Sequence, residues 1–232
     1  MMCSTAYNHK LSCLFDRDHH FTGAIFDCDG TLLDSLHAWH DLEHAVADAS
    51  KGTSVVTAAD CAQLVARTVP ETAAYLHHTL GFLDSPAEVE AFMDDFLIRY
   101  YAEQAKLFAG VYSFLNACKA HGVHMAVASS SRRAYLDAGL KGAGIADFFE
   151  HIVSVDDVGL SKRDPRFFET VAHMLGTSHS ETWVFDDAVY ALKAAHCAGF
   201  PTVAVLGGEQ EPSLISRPDE TVGTLLIQGF SN

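Results

Sequence analysis

The chain has 232 residues, 49% of them hydrophobic, with 15 basic against 30 acidic side chains and a formal charge of -15. That balance argues against nucleic acid or an anionic membrane surface as partner, and no apolar run approaches the roughly 18 residues a spanning helix needs. An anionic substrate would have to be met by a local island of positive charge or by a metal. The first twenty residues mix Asn8, His9, Lys10, Asp16, Arg17 and Asp18 with single apolar residues. They lack the apolar stretch of a signal peptide, so a cytoplasmic protein is expected. Six cysteines, at 3, 13, 28, 61, 118 and 197, form no Cys-x-x-Cys pair, and reduced thiols are expected. The fourteen histidines are read as surface or hydrogen-bonded core residues, with no metal-binding spacing among them.

Taken in chain order, residues 21–26 form a short apolar run that reads as a buried strand. At its end stand Asp27 and Asp29, one residue apart, followed by Gly30 and Thr31. Two acids at a strand tip repel unless a cation or a proton separates them. The spacing therefore points to a divalent metal, an acid/base pair, or both.

From Ser35 to about Lys106 the texture is helical, without a convincing strand. Leu36, Trp39, Leu42, Glu43 and Val46 make one stripe, and Cys61, Leu64, Val65 and Thr68 another. Tyr75, Leu76, Thr79 and Leu80 continue the pattern, and Val89, Phe92, Met93, Phe96, Leu97 and Tyr100 give the cleanest 3.6-residue period. Ser85, Pro86 and Glu88 read as N-cap, first helical residue and capping-box partner.

Beyond Gly110 short apolar strands alternate with helices. The predicted helices are Val111 to Ala120, one from near Arg132, Phe167 to Leu175, and about Ala188 to Ala198. The strands are 123–128, 152–155, 182–185 and 202–205. Alternation of this kind predicts an α/β fold, a parallel sheet with helices on both faces. The strand at 21–26 must join that sheet, since a lone strand is not stable. The helical stretch is then an insertion, a cap of residues 35–105 interrupting a core of 1–34 and 106–232.

Polar residues mark several predicted strand ends: Asp27 and Asp29 after the first, Ser129-Ser130-Ser131 after 123–128, and Asp186-Asp187 after 182–185. Lys162 lies in a loop just before a helix that Asp164 caps and Pro165 opens. In a parallel sheet these groups share one edge. Four carboxylates, a hydroxyl with backbone N–H groups, and one ammonium suit phosphoryl transfer. Oxygen ligands favour Mg²⁺, a carboxylate in line with phosphorus can be the nucleophile, and a second can move protons.

Asp27-Cys28-Asp29-Gly30-Thr31-Leu32-Leu33-Asp34-Ser35 resembles the first motif of the haloacid dehalogenase-like superfamily. Ser129 resembles its second motif, Lys162 with Pro165 its third, and Asp186-Asp187 its fourth. The likeness spans about residues 21–206 and implies a Rossmann-like core. The helical insertion is similar to the cap of the subgroup containing phosphoglycolate phosphatase-like enzymes and β-phosphoglucomutase. The resemblance implies Asp27 as nucleophile and Asp29 as general acid/base. It implies Ser129, with Ser130 beside it, and Lys162 as the phosphate-binding groups. Mg²⁺ would be held by Asp27, the backbone carbonyl of Asp29, and Asp186 and/or Asp187. The hinges between core and cap would lie near Asp34-Ser35 and near Lys106. The chain departs from the family pattern at Ala188, Ala191 and Lys162-Arg163-Asp164-Pro165-Arg166.

Within that family Asp29 implies an alcohol leaving group, hence a phosphatase or a phosphomutase and not a dehalogenase. Residues 36–105 hold three basic side chains, Lys51, Arg67 and Arg99, against eleven acidic ones, a net charge of -8. A mutase must hold a second phosphate, which favours fixed Arg or Lys groups. The expectation is a Mg²⁺-dependent phosphatase acting on a small phosphate monoester. The alternatives are a phosphomutase and a non-catalytic binding module on the same fold. His37, Trp39 and His40 are expected near the cap mouth. Substrate identity and oligomeric state are not legible.

Overall fold

The computed structural model describes residues 15, 21–35, 37–49 and 68–205, and the backbone of 224–227. The stripe at Cys61 to Val65 lies outside the described residues. Six strands form one sheet: β1 (Gly23–Phe26), β4 (His124–Ser129), β5 (His151–Ser154), β6 (Thr182–Asp186), β7 (Thr202–Val205) and β8 (Thr224–Ile227). Their order is β5-β4-β1-β6-β7-β8, and every pairing is parallel. Connections run outward from β1 through β4 to β5, then restart on the other side at β6. Beside β1 the winding reverses, and the crevice beyond the carboxyl ends there is where such sheets bind ligands.

Alternation along β1 feeds two cores. Ala24 and Phe26 join a cluster with Phe114, Leu115, Val127, Phe185 and Val203. Ile25 joins Ala126, Val184, Phe167, Phe168, Val171 and Ala195 on the opposite face. Burial on both faces explains why these strands read as continuous apolar runs. Helices cap as their sequences predict at two points. The Asp164 side chain accepts from Arg166 N ahead of Pro165–Leu175, and Ser85 Oγ accepts from Glu88 N ahead of Pro86–Glu103. The capping box expected there is incomplete: the Glu88 carboxylate reaches Asp84 N at 3.4 Å.

Helices Ala38–Ala49, Val69–Leu80 and Pro86–Glu103 fall within the insertion. Two short strands that the sequence does not announce, β2 (Leu33–Asp34) and β3 (Lys106–Leu107), pair antiparallel at its base. Each has two residues, too few for a periodic signal. Helix Pro86–Glu103 packs on the core helix Arg133–Gly142 at close range. A Cβ on Gly142 would sit 2.2 Å from the Ala102 carbonyl oxygen, so only glycine fits. Val89, Met93 and Leu97 thereby share one buried cluster with Leu136, Leu140 and the sheet.

Candidate active site

Parallel pairing sets the register that assembles the site. Phe26 lies beside Val127 and Phe185, so the chain leaving β1 emerges between the ends of β4 and β6. Asp27 follows, anchored by a hydrogen bond from its own N–H to Phe185 O (2.8 Å), and is buried. Asp186 closes β6, and its Oδ1 accepts from Ala188 N at 2.8 Å. Lys162, also buried, reaches in from the turn before helix Pro165–Leu175. Its Nζ lies 2.6 Å from Asp27 Oδ1 and 2.5 Å from Asp186 Oδ2. Burial opposes the Lys162 charge, yet Asp186 and Asp27 hold it above the ordinary lysine range. Burial likewise pushes the Asp27 carboxyl well up, against Lys162, and Asp186, Asp187 and Asp29 add to the push.

Asp27, Asp186 and Asp187 each present an atom within 4.8 Å of the others. Asp186 Oδ2 is buried and, although ion-paired with Lys162, receives no hydrogen bond of good geometry. An all-carboxylate set with an under-satisfied buried oxygen fits a small hard cation. Gly30 permits the close approach. Its φ of 81° suits glycine, and a Cβ there would meet Asp187 Oδ2 at 2.5 Å.

Asp29 has different surroundings. Its Oδ1 accepts from Ser35 Oγ (2.5 Å) and Tyr101 Oη (2.6 Å). Its Oδ2 accepts from Ser131 Oγ (2.6 Å), with Ser129 Oγ at 3.5 Å. Both side-chain oxygens thus face hydroxyls, and the carboxylate stands outside the three-acid cluster. Ser129 is buried at the end of β4 and accepts from Ser131 N at 3.1 Å. Ser130 is exposed and lies on a cavity wall; Ser131 is the neighbour that turns toward Asp29. Alternation beyond β4 held that signal, since residues two apart share a side. Tyr101, on helix Pro86–Glu103, carried no motif and is reached only through the fold.

A cavity of about 490 Å³ opens between insertion and core, lined among others by Trp39, Thr68, Val69, Ser130, Ser131 and Arg132. Ser131 belongs both to its wall and to the contacts of Asp29. Arg132 is held by Asp94 at 2.9 and 3.0 Å and by Glu90 at 2.6 Å, and Tyr135 Oη donates to the same Asp94. His37 and His40 are exposed. His40 Nε2 lies 3.1 Å from His44 Nε2, one helical turn on.

The haloacid dehalogenase-like hydrolase profile matches residues 24–205. The chain belongs to that family. YhcW of Bacillus subtilis, described as a phosphatase, is 29% identical over 211 residues, covering 90% of this chain and 88% of that protein. The phosphoglycolate phosphatase of Salmonella choleraesuis is 29% identical over 225 residues, covering 88% and 89%. Some matched relatives are much longer, and this chain spans 12% of one of them. Among solved structures, a Thermotoga maritima protein described as a β-phosphoglucomutase superposes with a TM-score of 0.75 at 21% identity. It covers 90% of this chain and 94% of its own. The likeness supports the Rossmann-like sheet described above. YhcW and the Salmonella protein, each aligned over most of the chain's length, are described as phosphatases. Among the described residues no helix is long and apolar enough to cross a membrane.

Proposed function

We propose that this chain is a Mg²⁺-dependent phosphatase that hydrolyses a small phosphate monoester through an aspartyl-phosphate on Asp27. The observation that carries the reading is the split between two carboxylates only two residues apart. Asp27 sits against the Lys162 ammonium and the acid cluster, whereas Asp29 sits in a ring of hydroxyls. Unequal environments for paired acids are how one site runs nucleophilic and proton-transfer chemistry together.

Asp27 Oδ attacks phosphorus, the ester P–O bond breaks, and the departing alcohol oxygen takes a proton from Asp29. Water then gives a proton to the Asp29 carboxylate as it attacks phosphorus, and the P–O bond to Asp27 breaks to release phosphate. Lys162 and Ser129, with Ser130 nearby, hold the phosphoryl oxygens. Asp27, Asp186 and Asp187, with the Asp29 carbonyl, would hold Mg²⁺, which neutralises phosphoryl charge when bound. The insertion of 35–105 acts as the cap and forms one wall of the substrate cavity.

A phosphomutase would need a fixed cation available for a second phosphate. Among the described residues Arg132 is the guanidinium on the cavity wall, and it is already matched by Glu90 and Asp94, which supports the hydrolase over the isomerase. The test is hydrolysis of p-nitrophenyl phosphate with Mg²⁺ and with EDTA, by wild type and Asp27→Asn. Turnover should require the cation and vanish in the variant. Unimpaired turnover by Asp27→Asn would overturn the mechanism.

A further inference from the structure

We propose that Tyr101 is a positioning residue for Asp29, pinning one carboxyl oxygen so that the other is turned toward the cavity side of the site. The inference rests on the reading of Asp29 as general acid/base and adds to it a group from the helical insertion. Each carboxylate oxygen offers two lone pairs. At Asp29 Oδ1 both are used, by Ser35 Oγ at 2.5 Å and Tyr101 Oη at 2.6 Å. Oδ2 has a single short contact, from Ser131 at 2.6 Å, and a long one from Ser129 at 3.5 Å. Oδ1 is therefore pinned by two donors, and Oδ2 is the oxygen turned toward Ser129 and the cavity-lining Ser131.

Tyr101 is built for this. It is buried, and burial followed by Asp29 itself pushes its phenol well above the usual range, so it remains a donor. Its ring stacks on Tyr135 with centroids 5.7 Å apart. Tyr135 in turn donates to Asp94 on the helix that carries Tyr101. On the core side Gly139 leaves room for the ring, since a Cβ there would come within 3.0 Å of Tyr101 Cδ1. A rigid aromatic stem thus delivers one hydroxyl to an acid 72 positions away.

The experiment compares kcat/KM for p-nitrophenyl phosphate and phenyl phosphate, in Mg²⁺, for wild type, Tyr101→Phe, Asp29→Asn and the double variant. For a covalent mechanism kcat/KM contains only the steps through aspartyl-phosphate formation. Nitrophenolate leaves readily as an anion. Phenolate, whose conjugate acid has a pKa of about 10 as in tyrosine, needs the proton. Tyr101→Phe should cost about 10-fold with the phenyl ester and under about 2-fold with the nitrophenyl ester. It should add no leaving-group selectivity in the Asp29→Asn background. Equal losses on both esters, or none on either, would overturn the inference and leave the role of Asp29 standing. An Asp29→Asn variant without leaving-group selectivity would overturn both. If Tyr101→Phe melts early, Ser35→Ala removes the other donor to the same oxygen and carries the same comparison.

Discussion

Lys162 is the most exacting point of the site. Replacing it with methionine keeps the stem and removes the ammonium that lies 2.6 Å from Asp27 and 2.5 Å from Asp186. Both acids are buried, so neither can recover the lost charge from solvent. Breaking a buried ion pair from one side costs about 3–5 kcal/mol, or roughly 6–20 °C in melting temperature for a chain of this size. The sign with pH follows from the titrations. Lys162 is held above its ordinary value, so its contribution is complete at neutral pH and fades only above about 10.4. In the variant the stranded Asp27 carboxyl, already pushed up by burial, favours protonation, so the deficit is small near pH 4 and widens toward pH 7. Thermal unfolding in EDTA at pH 4.5, 6 and 7.5 reads this directly. Added Mg²⁺ should return about 2.7 kcal/mol at a hundredfold excess over its dissociation constant. A variant that melts within about 2 °C of wild type at pH 7.5 in EDTA would refute the idea that Lys162 compensates the buried acids.

Gly30→Ala combines a φ of 81° with a clash on Asp187 Oδ2. It should cost about 1–2 kcal/mol of stability and raise the Mg²⁺ concentration for half-maximal activity about 10-fold or more, read by metal titration of initial rates. Burial raises the Cys118 thiol to about 12, so stability is intact below about 8.5 and falls by up to about 1.4 kcal/mol per pH unit above it. Urea unfolding at pH 8 to 10 should show a shallower fall for Cys118→Ala.

What the sequence revealed followed from how each group is positioned. Asp27, Ser129 and Asp186 stand at the ends of buried strands, and a strand end is visible wherever an apolar run stops. Lys162 could be placed because Asp164 and Pro165 announce a helix start. Tyr101 was invisible because its role depends on how helix Pro86–Glu103 rotates against helix Arg133–Gly142, and that is settled by Gly139 and Gly142 far along the chain. The Arg132 contacts with Glu90 and Asp94 were hidden for the same reason: a bare count of insertion charges cannot tell solvated acids from ones engaged with a core arginine. The contact of Ser131 with Asp29 follows the alternation beyond β4, where residues two apart share a side. Strands β2 and β3 are shorter than any pattern, and only pairing reveals them.

That small ladder has a topological consequence. Because Leu33 lies beside Leu107, the chain enters and leaves the insertion at one point. To the sheet, a detour of roughly 70 residues is a single loop closure whose entropy grows only with the logarithm of its length. The two connections are also yoked. Any swing of the helices that preserves the ladder must bend both strands as one strap, about one axis. Asp29 sits four residues upstream of that strap and Tyr101 five residues short of its return strand. Asp29 and its distant hydroxyl partner Tyr101 therefore lie on opposite sides of the joint that this ladder forms.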